Sequence, residues 1–169
     1  MRYAGINPTD IVCGSGVGVA VYVQGCDFHC PGCFNPQTWS FSGGKAWKEE
    51  NDAELMDSLN HPYIKRLSVL GGEPLHPNNV KGVLRLIDEA DSVKLLKKWI
   101  FTGYTWDEIM EDNSDAGVIR KEILNKIDYL VEGRFIENLR DVTLKFRGSS
   151  NQRIIDVKKT LEKGEIVTL

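Results

Sequence analysis

The sequence contains no hydrophobic run long enough to cross a membrane. Its longest nearly unbroken apolar stretch is Val17–Val23 (VGVAVYV), far shorter than the ~20 residues that a membrane helix requires. The N-terminal segment, MRYAGINPTD, has no apolar stretch of the kind found in signal peptides. These absences predict a soluble protein that is not exported and that is most simply placed in the cytoplasm.

An excess of basic residues is also absent. The chain has 21 lysine and arginine residues against 24 aspartate and glutamate residues, so its formal net charge is −3 at pH 7. The isoelectric point is about 5.7, whereas domains that bind nucleic acids are commonly basic. The charge balance therefore argues against DNA or RNA as the main partner.

Internal repeats, low-complexity blocks and linker-like stretches are absent as well. The chain has 169 residues, of which 41% are hydrophobic and 27% charged. A chain of this length buries roughly 70% of its extended surface on folding, so it needs no disulfide bonds to build a core. We therefore expect residues 1–169 to form one domain.

Strand-like and helix-like segments alternate along the chain. The strand candidates are Val17–Gln24, Ile64–Leu70, Trp99–Thr102, Tyr129–Val131 and Arg153–Val157. Capping-box spacing predicts helix starts at Asn51/Glu54 and at Thr105/Glu108. Apolar residues at helical spacing mark the buried faces of two more helices, at Val80, Val83, Leu84 and Ile87 and at Ile119, Ile123 and Ile127.

This alternation predicts an α/β fold with parallel strands joined by crossover helices. An eight-fold barrel takes about 250 residues, so this shorter chain is expected to form a partial, open (βα) barrel of mostly parallel strands with outer helices. In such folds the chemistry gathers at the C-terminal ends of the strands. Two unusual segments fall there: a cysteine cluster after the first strand candidate, and Gly-Gly-Glu-Pro after the second.

The cysteine cluster reads CDFHCPGC and contains Cys26, Cys30 and Cys33. Thiolates are soft ligands, and a short loop with three of them suits one corner of a cubane iron–sulfur cluster. A four-iron cubane commonly has four protein ligands. Three cysteines therefore predict a 4Fe-4S cluster with one iron left open to a small ligand.

Two other metal sites fit the same cysteines. A zinc site would need His29, His61, His76 or Cys13 as its fourth ligand, but zinc sites usually have paired CxxC units or a downstream histidine pair, and neither is present. A cluster used only for electron transfer would normally have a fourth cysteine nearby. Cys13 could serve only if the chain folded back, and a buried thiol with no ligand role is the favoured interpretation of it.

The segment CxxxCxxC, followed one strand later by Gly71-Gly72-Glu73-Pro74, resembles the radical S-adenosylmethionine superfamily. Four further blocks are similar to the activating proteins of anaerobic ribonucleoside-triphosphate reductase, and they occur in the expected order. These blocks are 24–35 (QGCDFHCPGCFN), 102–106 (TGYTW), 128–133 (DYLVEG) and 147–153 (RGSSNQR).

The resemblance implies a radical enzyme. One 4Fe-4S cluster would be held by Cys26, Cys30 and Cys33, and S-adenosylmethionine would be contacted by Gly32, Phe34, Gly71, Gly72, Glu73 and Pro74. The reduced cluster would cleave S-adenosylmethionine to a 5′-deoxyadenosyl radical, with no catalytic residue beyond the cluster and the bound S-adenosylmethionine. The implied partners are the large subunit of the reductase, on which a glycyl radical is formed, and an external flavodoxin- or ferredoxin-like one-electron donor.

Two alternatives to this function remain open: an activase of another glycyl-radical enzyme, such as pyruvate formate-lyase, and a non-catalytic iron–sulfur or zinc module. The sequence also departs from the resemblance twice. Gly32 stands where many superfamily members have an aromatic residue, so the adenine contact falls to Phe34 or to the backbone near Gly32. Cys13 stands where relatives more often have asparagine.

The roles of two other groups of residues also stay open. Thr102 and Tyr104, at the end of a strand candidate, are equally suited to a contact with the ribose or a partner and to packing and helix capping. A basic region near the C-terminus is more simply a solvated face than a docking surface for a larger protein. It consists of Arg134, Arg140, Lys145, Arg147 and Arg153.

Overall fold

Seven strands form one mixed sheet in the computed structural model, which describes residues 1–169. In chain order, strands β1 to β7 are Arg2–Asp10, Gly18–Val23, Lys45–Ala46, Arg66–Gly71, Lys97–Phe101, Tyr129–Glu132 and Arg153–Asp156. Their order across the sheet is β3-β1-β2-β4-β5-β6-β7. The predicted α/β class is confirmed.

Parallel pairing is limited to the centre of the sheet. Strands β2, β4, β5 and β6 are parallel neighbours, whereas β1 and β3 at one end and β7 at the other pair antiparallel. The expectation of mostly parallel strands is therefore wrong for half of the six pairings. The cause at one end is a short connection over residues 11–17, which returns the chain beside itself and permits only an antiparallel neighbour.

Strand β1 was absent from the sequence prediction because Gly5, Asn7 and Pro8 are poor strand formers. On its outer side β1 pairs with β3 only at Arg2 and Tyr3, so Pro8 lies along an unpaired edge, where proline is tolerated. Because β1 and β3 are two additional strands, the cysteine cluster follows the second strand of the chain and Gly-Gly-Glu-Pro follows the fourth, not the first and second as expected.

Five helices connect or follow the strands, and none of them is long and apolar enough to span a bilayer. Helices α1 to α5 are Glu49–Leu59, Val80–Ala90, Trp106–Glu111, Asp115–Leu124 and Val157–Lys163. The Thr105/Glu108 capping box is confirmed, with the Glu108 N–H 3.2 Å from the Thr105 hydroxyl. The capping box predicted at Asn51/Glu54 lies three residues earlier, at Lys48 and Asn51. The Asn51 side chain accepts from the Lys48 N–H at 3.0 Å, and α1 begins at Glu49.

The main hydrophobic core lies between the helices and one face of the sheet. Alternate residues of β2, such as Val19 and Val21, are fully buried there against apolar side chains of the helices, such as Leu86 and Ile123. The opposite face of the sheet carries a smaller apolar cluster built around Trp99. A cavity opens on this second face, at the C-terminal ends of the central strands.

Candidate metal and cofactor site

The loop that leaves the C-terminal end of β2 holds all three cysteines of the CxxxCxxC segment. Cys26 is buried, whereas Cys30 and Cys33 are partly exposed. The Cys26 N–H donates to the Trp39 carbonyl at 3.0 Å, and the Cys33 N–H donates to the Cys30 carbonyl at 3.0 Å. These hydrogen bonds fix both ends of the segment, so the three thiols are presented by an ordered loop.

Left-handed backbone conformations give this loop its shape. Gly25 has φ of 101° and Gly32 has φ of 73°, in the region that favours glycine. A Cβ atom at Gly25 would lie 2.1 Å from the Phe41 ring, and one at Gly32 would lie 2.8 Å from the carboxylate of Glu137. The Glu137 side chain is exposed and could move aside, so the positive φ of Gly32 is the stronger reason for glycine at this position.

A cavity of about 490 Å³ joins the cysteine loop to the ends of the central strands. Its volume is within the range of roughly 300–1,000 Å³ typical of small-molecule sites. Seven of the nine predicted site residues line it: Cys26, Cys30, Cys33, Phe34, Gly71, Gly72 and Glu73. Gly32 and Pro74 do not line it. That these two residues contact a ligand stays a prediction, and such a contact would be made through the backbone of their loops.

The donor set suits an iron–sulfur cluster. Three soft sulfur donors face one cavity, and this is the chemistry that such clusters select. Burial raises the pKa of the Cys26 thiol to about 11 and also raises the pKa of Cys30. The thiols of Cys26 and Cys30 therefore stay protonated at neutral pH when they are free, and binding of iron must displace their protons.

The three histidines proposed as the fourth ligand of a zinc site lie outside the cavity. No three histidine, cysteine or acidic side chains are arranged to hold a single metal ion. The His29 ring stacks on Trp39 at 4.5 Å. The Nε2 atom of His76 lies 2.8 Å from the Asp27 carboxylate.

Cys13 lines the same cavity as the cluster cysteines, although it precedes them by one strand. The connection between β1 and β2 folds back across the sheet, and the Cys13 N–H donates to the Asp10 carboxylate at 2.8 Å. Its Sγ atom lies 3.9 Å from the Tyr22 hydroxyl, and burial raises the pKa of the thiol to about 11. Cys13 is thus a buried thiol with a hydroxyl partner. Its position in the cavity was not expected from its distance along the chain from the other three cysteines.

The Gly-Gly-Glu-Pro segment ends β4 in direct contact with the cysteine loop. The Gly72 N–H donates to the Val23 carbonyl at 2.9 Å, and the Glu73 N–H donates to the Gly25 carbonyl at 2.8 Å. A Cβ atom at Gly72 would lie 2.5 Å from the Gly25 oxygen. Glycine is required here because the two backbones approach too closely for any side chain.

The Glu73 carboxylate ties the end of β4 to the end of β5. It accepts hydrogen bonds from the Thr102 hydroxyl at 2.7 Å, the Leu75 N–H at 2.8 Å and the Gly103 N–H at 2.7 Å. The residue is only 2% exposed, and this burial raises the pKa of its carboxyl group to about 7. Thr102 therefore serves as a partner of Glu73 while it also lines the cavity.

Replacing Glu73 with glutamine is expected to destabilise the protein by about 1–3 kcal/mol, because the amide places an NH2 group against buried donors where the carboxyl group has an oxygen. Urea-induced unfolding of the metal-free protein measures this loss. The control is Glu111→Gln, which changes an exposed residue at the end of α3 and should alter the free energy of unfolding by less than about 0.5 kcal/mol.

The penalty of Glu73→Gln should also depend on pH. The carboxyl pKa is raised from 4.5 to about 7 in the folded state, so the wild-type protein loses stability relative to the variant as the pH rises between these values. The difference between the two proteins should therefore be larger at pH 5 than at pH 8. An equal difference at both pH values would contradict this account of Glu73.

Asn79 links the start of α2 to the cysteine loop and to the Gly-Gly-Glu-Pro segment. Its role was not predicted from the sequence. Its side-chain NH2 group donates to the carbonyls of Gln24, at 3.1 Å, and Glu73, at 3.0 Å. Asn79 is 2% exposed and immediately precedes α2. Asparagine at that position is expected as a helix cap, so its sequence context pointed to a different role.

An aromatic and cationic stack supports the middle of the cysteine loop. The Phe28 ring lies edge-on to Tyr104 at 4.9 Å, and the Arg134 guanidinium lies 4.4 Å from the centre of the Phe28 ring. Arg120 covers Tyr104 at 4.1 Å. Tyr104 is therefore engaged in packing, one of the two roles that its sequence position allowed.

The RGSSNQR block closes the cavity on the side of β6. The Gln152 side chain accepts from the Gly148 N–H at 2.8 Å and donates to the Gly133 carbonyl at 2.9 Å. The Arg147 side chain donates to the Gln152 carbonyl at 2.6 Å. Arg147, Gly148 and Gln152 all line the cavity, so the block forms part of the candidate site.

The basic region is more structured than a solvated face. Arg134 pairs with Glu108 at 3.1 Å, and Arg153 pairs with Glu132 at 2.5 Å. Arg140 instead lies 5.1 Å from the centre of the Phe34 ring, at the edge of the cavity.

Comparison with known proteins identifies relatives that share one name. A family model described as a 4Fe-4S single cluster domain matches residues 12–155. The chain is 37% identical over 155 residues to a protein of Salmonella typhi and 36% identical to one of Escherichia coli K12, each match covering 90% of this chain and 96% of the relative. A protein of Enterobacteria phage T4 is 33% identical, with 91% and 93% covered. All three relatives are named anaerobic ribonucleoside-triphosphate reductase-activating protein.

Proposed function

Because the chain belongs to the family of anaerobic ribonucleoside-triphosphate reductase-activating proteins and carries a 4Fe-4S single cluster domain, we propose that it is a radical enzyme that forms a glycyl radical on that reductase. The observation that carries this proposal is the convergence of three cysteine thiols and the glycine-rich end of β4 on one cavity. This arrangement would place a cluster and a small molecule side by side.

Cys26, Cys30 and Cys33 would hold the cluster as thiolates. The loop supplies only these three thiols, so one iron would be left for S-adenosylmethionine. With both groups bound, the chemistry supplied would be one-electron reductive cleavage of S-adenosylmethionine to methionine and a 5′-deoxyadenosyl radical, and removal of a hydrogen from a glycine Cα. The chain's own residues bind and orient these groups.

The residues around the cysteines are suited to binding S-adenosylmethionine. At Gly71 the backbone packs against β2, and at Gly72 it packs against Gly25 of the cysteine loop, in both cases too closely for a side chain. Both glycines line the cavity, where their backbone carbonyls would be available to the ligand. Glu73 and Pro74 would hold that turn in place, with the Glu73 carboxylate bound to β5. The Phe34 ring faces the cavity and would contact the adenine together with the backbone at Gly32.

We also propose that the sheet is a partial, open barrel of the radical S-adenosylmethionine type. Two features support this: the helices pack on one face of the sheet, and the cavity lies on the other. Strands β3 and β7 are the two ends of the sheet and do not pair with each other. An open side would let a protein substrate bring its own backbone to the cluster and exclude water from it.

The proposed partners are therefore macromolecules. The large subunit of the anaerobic reductase would be the substrate, because its glycine would carry the radical. A flavodoxin- or ferredoxin-like protein would supply the electron, since no second redox group is implied by the residues of this chain.

One anaerobic experiment tests this function. The protein is reconstituted with iron and sulfide and mixed with dithionite, S-adenosylmethionine and the reductase, after which 5′-deoxyadenosine is quantified by mass spectrometry and the glycyl radical by electron paramagnetic resonance. We expect both products, with a glycyl doublet on the reductase. Pyruvate formate-lyase in place of the reductase is expected to give no doublet, and a doublet only with that enzyme would favour the alternative activase.

The non-catalytic alternative predicts a different result from the same experiment. A protein that holds a four-iron cluster but forms no 5′-deoxyadenosine would be an electron-transfer module. A protein that binds zinc in place of iron would contradict the enzymatic function altogether.

A further inference from the structure

A buried arginine on helix α4 is connected to both segments that build the candidate site. Arg120 is 5% exposed, and it does not line the cavity. Arginine is almost never buried to this degree unless its charge is paired. Asp112, on the connection between α3 and α4, supplies the ion pair, and the other contacts of Arg120 lead towards the site.

The first connection leads to the Gly-Gly-Glu-Pro segment. The Arg120 Nε–H donates to the carbonyl of Leu75, the residue that follows this segment, at 2.7 Å. The Leu75 N–H in turn donates to the Glu73 carboxylate at 2.8 Å. The pKa of Glu73 reflects the same proximity, because burial raises it and the charge of Arg120 opposes the rise. Both backbone polar groups of Leu75 are thus held by buried charged side chains, so the segment ends at a fixed point.

The second connection leads to the middle of the cysteine loop. The Arg120 guanidinium lies 4.1 Å from the centre of the Tyr104 ring, and that ring lies edge-on to Phe28 at 4.9 Å. Phe28 stands between the first two cysteines of the loop. A Cβ atom at Gly103 would lie only 2.4 Å from the Phe28 ring, so the ring also packs tightly on the backbone just after β5. The position of Tyr104 therefore helps to fix that of Phe28.

We propose that Arg120 is a positioning residue that keeps the Gly-Gly-Glu-Pro segment and the cysteine loop at the separation that S-adenosylmethionine needs in order to bind between them. This inference rests on the proposed function, in which the cluster and S-adenosylmethionine occupy the cavity that these segments line. Binding groups must be held to within about 0.5 Å of their productive positions by the residues that support them. Arg120 would supply such support without touching either bound group.

The chemistry of arginine suits this role. A planar guanidinium can cover an aromatic ring with its face while the N–H groups at its edge donate to acceptors. In Arg120 the acceptors are the Leu75 carbonyl and the Asp112 carboxylate, and the covered ring is Tyr104. A lysine ammonium is a compact point charge and cannot make all three contacts at once. An arginine kept only for its ion pair with Asp112 would have no influence on ligand affinity.

Arg120→Met tests the proposal, because it removes the guanidinium and leaves an unbranched apolar side chain. Binding of S-adenosylmethionine to the oxidised, cluster-loaded protein is measured by equilibrium dialysis without oxygen or reductant. We expect the dissociation constant to rise about tenfold or more, as on loss of other residues that support a site. The iron content should stay at the wild-type level, since all three cysteines remain. Arg120→Lys, which keeps the charge, should raise the dissociation constant by a smaller factor.

Ile123→Val is the matched control on the same helix. Ile123 is fully buried in the main core, so this variant also loses stability, but its apolar side chain makes no hydrogen bond to either segment. We expect its dissociation constant to equal that of the wild type. Unchanged affinity in whichever arginine variants fold, as judged by circular dichroism, would overturn the proposal. An equal rise in Ile123→Val would also overturn it, because general loss of stability would then explain the effect.

Hydrogen exchange of the metal-free proteins gives a second readout that depends neither on the cluster nor on activity. In Arg120→Met we expect faster exchange in peptides that contain the Glu73 and Leu75 amides and in those of the cysteine loop, because both segments lose their common support. The same peptides should exchange at the wild-type rate in Ile123→Val. Exchange that is unchanged in both segments, or that accelerates equally in every strand, would contradict a positioning role.

Failure of the proposed function would look different. In that case the cluster-loaded wild-type protein binds no S-adenosylmethionine, or forms no 5′-deoxyadenosine when dithionite is added, whereas exchange in the metal-free proteins still reports on Arg120. Failure of the Arg120 proposal alone leaves wild-type binding and product formation intact, with arginine variants that bind S-adenosylmethionine as tightly as the wild-type protein does.

Discussion

Replacing Cys26 with alanine is expected to abolish both cluster binding and formation of 5′-deoxyadenosine. Cys26 is the buried member of the three cysteines, its backbone is fixed to Trp39, and its thiolate is one of the three proposed ligands of the cluster. Loss of groups that only support metal ligands costs about 10–100-fold in affinity or activity, and loss of a ligand should cost more. Iron and sulfide content, visible absorbance and mass spectrometry of the product measure the effect.

Cys13→Ala is the matched control, because Cys13 is the remaining thiol of the cavity. We expect this variant to retain its iron and to form 5′-deoxyadenosine. Cys30→Ala and Cys33→Ala should behave like Cys26→Ala. Loss of iron from Cys13→Ala, with retention in one of the other three, would show that the cluster uses a different set of ligands.

Replacing Asp10 with alanine is expected to cause the largest loss of stability. Asp10 and Arg66 form an ion pair of 2.5 Å, and their side chains are 4% and 0% exposed. The Nε atom of Arg66 already lacks a partner, so after removal of the carboxylate the buried charge would keep only its hydrogen bonds to the Ser68 hydroxyl and the backbone carbonyl of residue 10. Breaking such a pair costs about 3–5 kcal/mol, which lowers the melting temperature by roughly 6–20 °C for a chain of this size.

The double variant Asp10→Ala/Arg66→Met isolates the cause of this loss. Removing both charges should recover part of the stability, because the cost comes from the unpaired guanidinium. A double variant no more stable than Asp10→Ala would instead indicate that the hydrogen bond from the Cys13 N–H to Asp10 matters more. Thermal unfolding of the metal-free proteins distinguishes these results.

The same ion pair sets a direction for the effect of pH. Burial alone would raise the pKa of Asp10, but hydrogen bonds from the Cys13 backbone and from Arg66 outweigh it and hold that pKa below its ordinary value. A carboxyl group of this kind stabilises the fold above its unfolded pKa, and the contribution is lost as the pH falls through the lowered value. The cost of Asp10→Ala should therefore shrink under strongly acidic conditions.

The sequence predicted those features that depend on local pattern. Strands β2, β4, β5 and β6 were found because their residues form short apolar runs bounded by turn signals. The cysteine loop and the turn at Gly71 and Gly72 were found because their residue types are unusual and closely spaced. Their meeting at one cavity followed from parallel pairing of β2 with β4.

Features that depend on distant partners were not predictable in this way. The contacts of Asn79 with the cysteine loop join residues more than 50 positions apart, and the pairing of Arg66 with Asp10 spans a similar separation. Strand β1 is held by its neighbours against the preference of its own residues, and β3 has only two residues. Tertiary packing determines these contacts and these two strands, and no short sequence pattern predicts them.

The proline of β1 has a consequence for how the protein behaves when it is concentrated. Beyond Tyr3 the outer side of β1 has no strand partner, and an exposed strand edge is a template on which a second molecule can add its own strand. Pro8 cannot donate a hydrogen bond at that edge, and the strand pairing shifts nearby between Asn7 and Asp10. The edge is thereby protected against aggregation, even though this strand has few residues that favour strand formation.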